Sequence, residues 1–279
     1  MRFVKMHGLG NDFVVVDGRK EQLPEDLSEL SRRVCDRHFG VGADGLVFIM
    51  PSDKADVRMR IFNPDGSEAE MCGNAIRCVA KYLYEKNIIP KEKIEIETLA
   101  GVMVPEIIKK NGEITGVRVD MGEPVLEPRQ IPMEDKGPGP VVGRILSVKG
   151  REFSITAVSM GNPHCVIFVP EVDKVPLKEW GPELETHPVF PRRTNVEFVE
   201  VLNRREVRMR VWERGAGETL ACGTGACATV VASVLNDRTD REVTVHLQGG
   251  DLQIYWSPED NRVYMTGPAV DVFEGRLLI

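Results

Sequence analysis

Two stretches of this chain, VRMRIFNPDGSEAEMCGN at residues 57–74 and VRMRVWERGAGETLACGT at 207–224, align without a gap at an offset of 150. Val-Arg-Met-Arg opens both, Glu68 meets Glu218, and Cys72-Gly73 falls on Cys222-Gly223. The register runs on into two apolar helical segments, AIRCVAKYL and ACATVVASVL. Two further correspondences bracket this one. Gly10-Asn11 before FVVVD resembles Gly161-Asn162 before CVIFV, and RVDMGEPV at 118–125 resembles RVYMTGPAV at 262–270. Three matches in the same order at nearly constant offset identify an internal duplication. Residues 122–143, with Pro124, Pro128, Pro132, Pro138 and Pro140, have the composition of a crossover between halves.

The length of 279 residues agrees with two domains rather than one core. A hydrophobic fraction of 42% and a charged fraction of 28% exclude intrinsic disorder. The net charge of -7 argues against a nucleic-acid or anionic-membrane partner, which would want a basic face. The N-terminus MRFVKMHGLGNDF has no signal-peptide core. Thr219–Asn236 is uncharged but carries threonines and glycines, and it reads as a buried helix rather than a membrane span. A cytoplasmic protein is expected.

Strand candidates rich in β-branched residues are Phe13–Val16, Leu46–Ile49, Val57–Phe62, Lys93–Thr98 and Val117–Met121 in the first half. The second offers Phe153–Ala157, Cys165–Val169, Asn195–Val201, Glu206–Trp212, Val243–Leu247 and Leu252–Trp256. Each half has one principal helix after its Cys-Gly plus a shorter one, such as Leu27–Arg37. Gly-rich turns and short spacings favour antiparallel pairing. The expected fold is α+β, two pseudo-symmetric halves, each a mostly antiparallel sheet wrapped around a central helix.

Of six cysteines, Cys35, Cys78, Cys165 and Cys227 read as small buried hydrophobes. The spacings CGNAIRC and CGTGAC are not the C-x-x-C knuckle of structural zinc, so no metal is expected. Cys72 and Cys222 differ because each immediately precedes a helix start, where Asn74 and Thr224 read as N-caps. There the macrodipole lowers a thiol pKa, and the free N–H groups of the turn suit a carboxylate. Inverting a stereocentre by proton transfer needs a base on one face and an acid on the other. One thiol from each half of a duplication supplies that pair without a cofactor. Asp65, Glu68 and Glu218 read as turn or capping residues, and Met59, Met71 and Met209 as core filler.

At these residues the chain resembles the diaminopimelate epimerase family of pyridoxal-phosphate-independent racemases. The resemblance spans essentially the whole chain. It is carried by KMHGLGNDFVVVD at 5–17, FNPDGSEAEMCGN at 62–74, MGNPHC at 160–165, TNVEF at 194–198 and WERGAGETLACGTGA at 212–226. It implies that Cys72 and Cys222 are the acid/base thiols, and that backbone amides of Gly73, Asn74, Gly223 and Thr224 hold the reacting carboxylate. It further implies that Asn11, Asn63, Asn162, Asn195, Glu213 and Arg214 bind substrate, and that His164 and Glu213 assist catalysis. Taken alone, His164 reads as a structural histidine, the asparagines as turn residues and Glu213-Arg214 as a solvated pair. Gly45 in VGADG stands where the family often has Gln, so a side-chain contact is missing there. The implied domains are 1–118 plus 268–279, and 119–267. Diaminopimelate as substrate, no cofactor and a homodimer are the further expectations, with proline or another amino acid as the alternative substrate.

Overall fold

The computed structural model describes residues 1–134, 137 and 139–278, so Pro138 of the crossover segment lies outside the described residues. The chain divides into two compact units, Met1–Asp120 with Thr266–Ile279, and Met121–Met265.

The first unit runs β1 (Arg2–Gly8), β2 (Asn11–Asp17), α1 (Leu27–Cys35), β3 (Gly45–Met50), β4 (Val57–Phe62), β5 (Glu68–Ala69), α2 (Gly73–Glu85), β6 (Ile96–Thr98), β7 (Gly101–Met103), β8 (Glu106–Lys110) and β9 (Glu113–Asp120). The second runs β10 (Arg144–Val148), β11 (Arg151–Ser159), β12 (Pro163–Phe168), α3 (Leu177–Glu185), β13 (Asn195–Asn203), β14 (Glu206–Glu213), β15 (Gly217–Thr219), α4 (Gly223–Leu235), β16 (Glu242–Leu247) and β17 (Gly250–Trp256). Next, β18 (Val263–Gly267) leads the chain back, and β19 (Val270–Arg276) adds an edge strand antiparallel to β1.

The duplication extends to the pairing type of each strand. In the first unit β1–β2 is antiparallel, β2–β3 parallel, β3–β4 antiparallel, β4–β6 parallel and β6–β7 antiparallel. The second repeats this sequence as β11–β12, β12–β13, β13–β14, β14–β16 and β16–β17. Antiparallel pairs predominate in both sheets, as expected, and each sheet also carries two parallel pairs. Each parallel pair is joined through a helix, as a same-direction return across a sheet demands. The short helix α3, with Pro182 inside it, is the shorter helix of the second half, joining β12 to β13 as α1 joins β2 to β3.

Burial follows from these crossovers. Val14, Val16, Leu46 and Phe48 cluster with Leu30 and Val34 of α1. Period-2 alternation turns the intervening Phe13, Val15, Val47 and Ile49 to the face occupied by α2. Covered on both faces, β2 and β3 read as continuous apolar runs. In α2 the buried positions Ile76, Val79, Ala80 and Leu83 recur at helical period. Each of the large ones contributes about 1.5–3 kcal/mol by leaving water. Every residue of α4 from Gly225 to Ser233 is buried, and the helix touches β11, β12, β13, β14, β16 and β17. That explains its uncharged sequence; no described helix is long and apolar enough to cross a membrane.

Glu68 and Glu218 are not caps. Arg60 grips Glu68 with two bonds of 2.7 Å, and Arg210 holds Glu218 at 2.7 and 3.2 Å, the same pairing at the same offset. Each pair ties β4 to β5, or β14 to β15, just before the Cys-Gly turn.

Gly181 in α3 lies under the Trp212 ring: a Cβ there would come within 2.5 Å of Trp212 Cγ. A helical Gly→Ala change ordinarily stabilises by up to about 1 kcal/mol. Here overpacking reverses the sign, and Gly181→Ala is expected to destabilise by about 1–3 kcal/mol. A lowered urea midpoint checks this; an unchanged or raised midpoint contradicts it.

Candidate active site

Each half contributes a half-site built around the start of its long helix. Cys72 is the N-cap of α2 and Cys222 the N-cap of α4, both in extended conformation, φ -143° and -129°. Each carbonyl accepts the first helical bond, from Ile76 N at 3.0 Å and from Ala226 N at 2.9 Å. Asn74 and Thr224 are therefore inside the first turn rather than caps, and neither helix has a side-chain cap bond. The turn N–H groups that a Ser, Thr or Asp cap would normally satisfy are left for a ligand.

In the first unit Asn11, at the start of β2, organises the surroundings of Cys72. Its Oδ1 accepts from Asn74 Nδ2 at 2.9 Å and faces the Cys72 thiol at 3.9 Å. Its Nδ2 donates to Asp44 Oδ2 at 2.9 Å. Arg77, one turn along α2 and wholly buried, donates to Asn74 Oδ1 at 2.8 Å and to Gly73 O at 3.2 Å. The structure thus brings Asn11, Cys72, Gly73 and Asn74 together. Asp44 and Arg77 were missed by sequence reasoning. The signal for Arg77 was a charge at a position where α2 otherwise turns apolar residues inward.

Asn63 and Gly45 are placed differently. Asn63 closes the β4–β5 hairpin, bonding Ser67 through its backbone N–H at 2.8 Å and its Nδ2 at 2.9 Å. Gly45 is buried at the start of β3, where a Cβ would meet Phe13 Cδ1 and Phe62 O at 3.3 Å. Its neighbour Asp44, not Gly45, bonds Asn11.

In the second unit the polar residues form a connected set. Asn162 Oδ1 lies 2.9 Å from His164 Nε2, and His164 Nδ1 lies 2.6 Å from Glu197 Oε1. Asn195, opposite His164 in the β12–β13 register, donates to Pro163 O and accepts from Arg214 N, both at 2.9 Å. Glu213 accepts from the Thr219 hydroxyl, and the exposed Arg214 guanidinium reaches Arg192 O at 3.1 Å. Gly161, Pro163 and Arg214 border a cavity of about 680 Å³ that Arg129 and Arg192 also line. Glu197 was missed: TNVEF drew attention to Asn195, yet a glutamate amid apolar strand residues is itself a signal.

Cys222 has its sulfur 3.6 Å from the Thr224 hydroxyl and is 5% exposed. Burial pushes its thiol well above the ordinary range, and the Glu213 carboxylate pushes the same way; the bond with the Thr224 hydroxyl opposes this without winning. The macrodipole argument for a lowered thiol pKa therefore fails at Cys222, because desolvation outweighs a partial charge at a helix end. Burial likewise raises Cys35, Cys165 and, to about 12, Cys78, which marks these three as unreactive packing groups.

The family model for diaminopimelate epimerase matches residues 3–127 and 156–272. The diaminopimelate epimerase of Pelotomaculum thermopropionicum is 64% identical over 276 residues, covering 99% of this chain and 98% of the relative. That of Moorella thermoacetica is 62% identical over 275 residues, with the same coverage. Among solved structures, a Bacillus anthracis phenazine biosynthesis protein of the PhzF family superposes with TM-score 0.72 at 19% identity, covering 100% of this chain and 99% of the other. A hydroxyproline epimerase from Agrobacterium vitis, solved with trans-4-hydroxy-L-proline, superposes with TM-score 0.69 at 15% identity, covering 99% and 91%. These two share the fold. The long matches at 62–64% identity decide the assignment: this chain belongs to the diaminopimelate epimerase family of isomerases.

Proposed function

We propose that the chain interconverts L,L- and meso-diaminopimelate by two-base proton transfer at one α-carbon, with Cys72 and Cys222 as the pair and no pyridoxal phosphate. The observation that carries this reading is the repeated cysteine at the N-cap of an uncapped buried helix. Each such turn offers a sulfur beside unsatisfied N–H groups, which suits an α-carboxylate as negative charge develops on it.

One thiolate removes the α-proton from one face while the opposite thiol delivers its own proton to the other face. Product leaves the two sulfurs with exchanged protonation, so the reverse reaction begins from the swapped state. Burial favours the protonated form of Cys222, which suits it to begin as the acid. Domain halves 1–118 plus 268–279 and 119–267 closing over substrate would exclude water and strengthen the field of the turns. The distal ammonium and carboxylate suit Glu213 and Arg214, with Asn63, Asn162 and Asn195 fixing orientation and His164 and Glu213 assisting. Such a distal set is what a diaminopimelate site needs and a proline site does not, which favours the longer substrate. Lysine and peptidoglycan precursor synthesis in the cytoplasm is the role that follows. A homodimer is supported by the apolar edge strand β19, where Val270, Val272 and Phe273 are 41–55% exposed.

Replacing either Cys72 or Cys222 by Ala is expected to lower α-proton exchange on L,L-diaminopimelate in D₂O by at least about 10²–10⁴-fold, the usual contribution of one acid/base group. Proton NMR against a proline control reads this out. Full activity in either variant removes the two-base mechanism, and exchange on proline alone removes the substrate.

Thiol reactivity gives a second check. At pH 8 iodoacetamide is expected to modify Cys72 ahead of Cys222, because Cys72 is the less buried of the two and the Cys222 thiol stays protonated. Modification of Cys222 should accelerate only as pH rises above the ordinary thiol range, because burial holds its thiol protonated. Peptide mass mapping follows both sites; Cys222 reacting first, or at a pH-independent rate, contradicts the assignment.

A further inference from the structure

The second unit holds a buried acid that the two-base scheme leaves unused. Glu197 and His164 are both fully buried, with Glu197 Oε1 2.6 Å from His164 Nδ1. The other oxygen, Oε2, is one of two buried side-chain polar atoms among the described residues that lack a hydrogen-bond partner. The remaining ring nitrogen, Nε2, faces Asn162 Oδ1 at 2.9 Å. An amide oxygen can only accept, so Nε2 carries a hydrogen. The 2.6 Å contact at Nδ1 must also contain one proton, either on a histidinium or on the carboxyl. An unpartnered buried oxygen costs far more on a charged carboxylate than on a neutral acid. The proton therefore belongs to Glu197, which donates to Nδ1.

The pair also sits beside the chemistry. A Cβ on Gly225 would lie 2.8 Å from Glu197 Oε1 and 3.3 Å from Cys222 Sγ. The two atoms are thus no more than about 6 Å apart, within range of strong charge coupling. Strand register shows that the arrangement is special to this half. Phe13 pairs with Gly45 where His164 pairs with Asn195, so Val47 in the first unit occupies the place of Glu197 in the second.

We propose that Glu197 is a positioning residue for the epimerisation: a neutral buried carboxyl that fixes His164 with its Nε2–H on Asn162 and, by carrying no charge, leaves Cys222 free to ionise when its turn as base comes. Its own surroundings agree. Burial, ahead of every other influence, raises its pKa; the Glu213 carboxylate adds to this, and His164 opposes it. Cys165 and Cys222 are the other titratable groups facing it, and both thiols stay protonated. Glu197 thereby removes one of two negative charges that a Cys222 thiolate would otherwise confront, leaving Glu213 alone.

This inference rests on the epimerase reading, and its test keeps the two apart. Glu197→Leu removes the donor at similar volume, whereas Glu197→Gln keeps a neutral donor for Nδ1. With L,L-diaminopimelate, kcat is expected to fall about tenfold or more in Glu197→Leu and to recover to within about threefold of the parent in Glu197→Gln. The infrared difference between parent and Glu197→Gln should show the C=O stretch of a protonated carboxyl at neutral pH, a readout that needs no substrate. A carboxylate band in its place, a Glu197→Gln variant as impaired as Glu197→Leu, or a fully active Glu197→Leu each overturns the proposal. A parent protein inert toward diaminopimelate defeats the epimerase reading instead, while the infrared band still reports on Glu197.

Discussion

Both half-sites depend on one constraint: a buried 13-residue helix that begins without a side-chain cap. A Ser, Asp or Asn at the cap would close the first turn on itself and stabilise the helix by about 1 kcal/mol. A cysteine in extended conformation makes no such bond, and the donors of Gly73-Asn74 and Gly223-Thr224 stay available. The surrounding strands must then hold the helix in place. The Arg60–Glu68 and Arg210–Glu218 pairs serve this purpose by anchoring the short strand that leads into each turn. Stability forgone at the cap is offset by packing along the helix.

The scaffold is symmetric, but the charge around the two sulfurs is not. One turn into α2 lies the buried guanidinium of Arg77; the residue 150 positions on, in α4, is Cys227, a neutral buried thiol. Cys222 instead faces the Glu213 carboxylate, with the Glu197 carboxyl buried beside it. A duplication supplies two equivalent geometries, and substitution afterwards makes them electrostatically unequal. That inequality sets the two thiols in different electrostatic surroundings while the backbone around them stays the same.

How much of this was legible in the sequence depended on the range of the interaction. The offset of 150 exposed the duplication and both cysteine turns, because local strings encode local turns. The predominance of antiparallel pairs was legible, but the parallel pairs were hidden: parallel β2–β3 follows from where α1 crosses, which no residue in either strand specifies. Glu68 and Glu218 resembled caps because their partners, Arg60 and Arg210, lie eight residues back across a hairpin. Asn74 and Thr224 resembled caps because their residue types fit, yet the helix starts one residue earlier, at glycine. The pKa of Cys222 was misjudged in sign, since a helix end is visible in sequence and the depth of burial is not. Glu197 required the fold itself, as only the β12–β13 register sets it beside His164.

The closing strand β19 has a consequence for synthesis. It pairs along β1 from Arg2↔Arg276 to His7↔Val270, so the first unit takes its edge from a segment translated after the whole of the second unit. The second unit, Met121–Met265, is contiguous and leaves the ribosome with all its residues in hand. Until then β1 waits with an unpaired edge while the later half is complete. Order of assembly is thereby inverted relative to order of translation, and the N-terminal unit is the one with most need of a chaperone's cover.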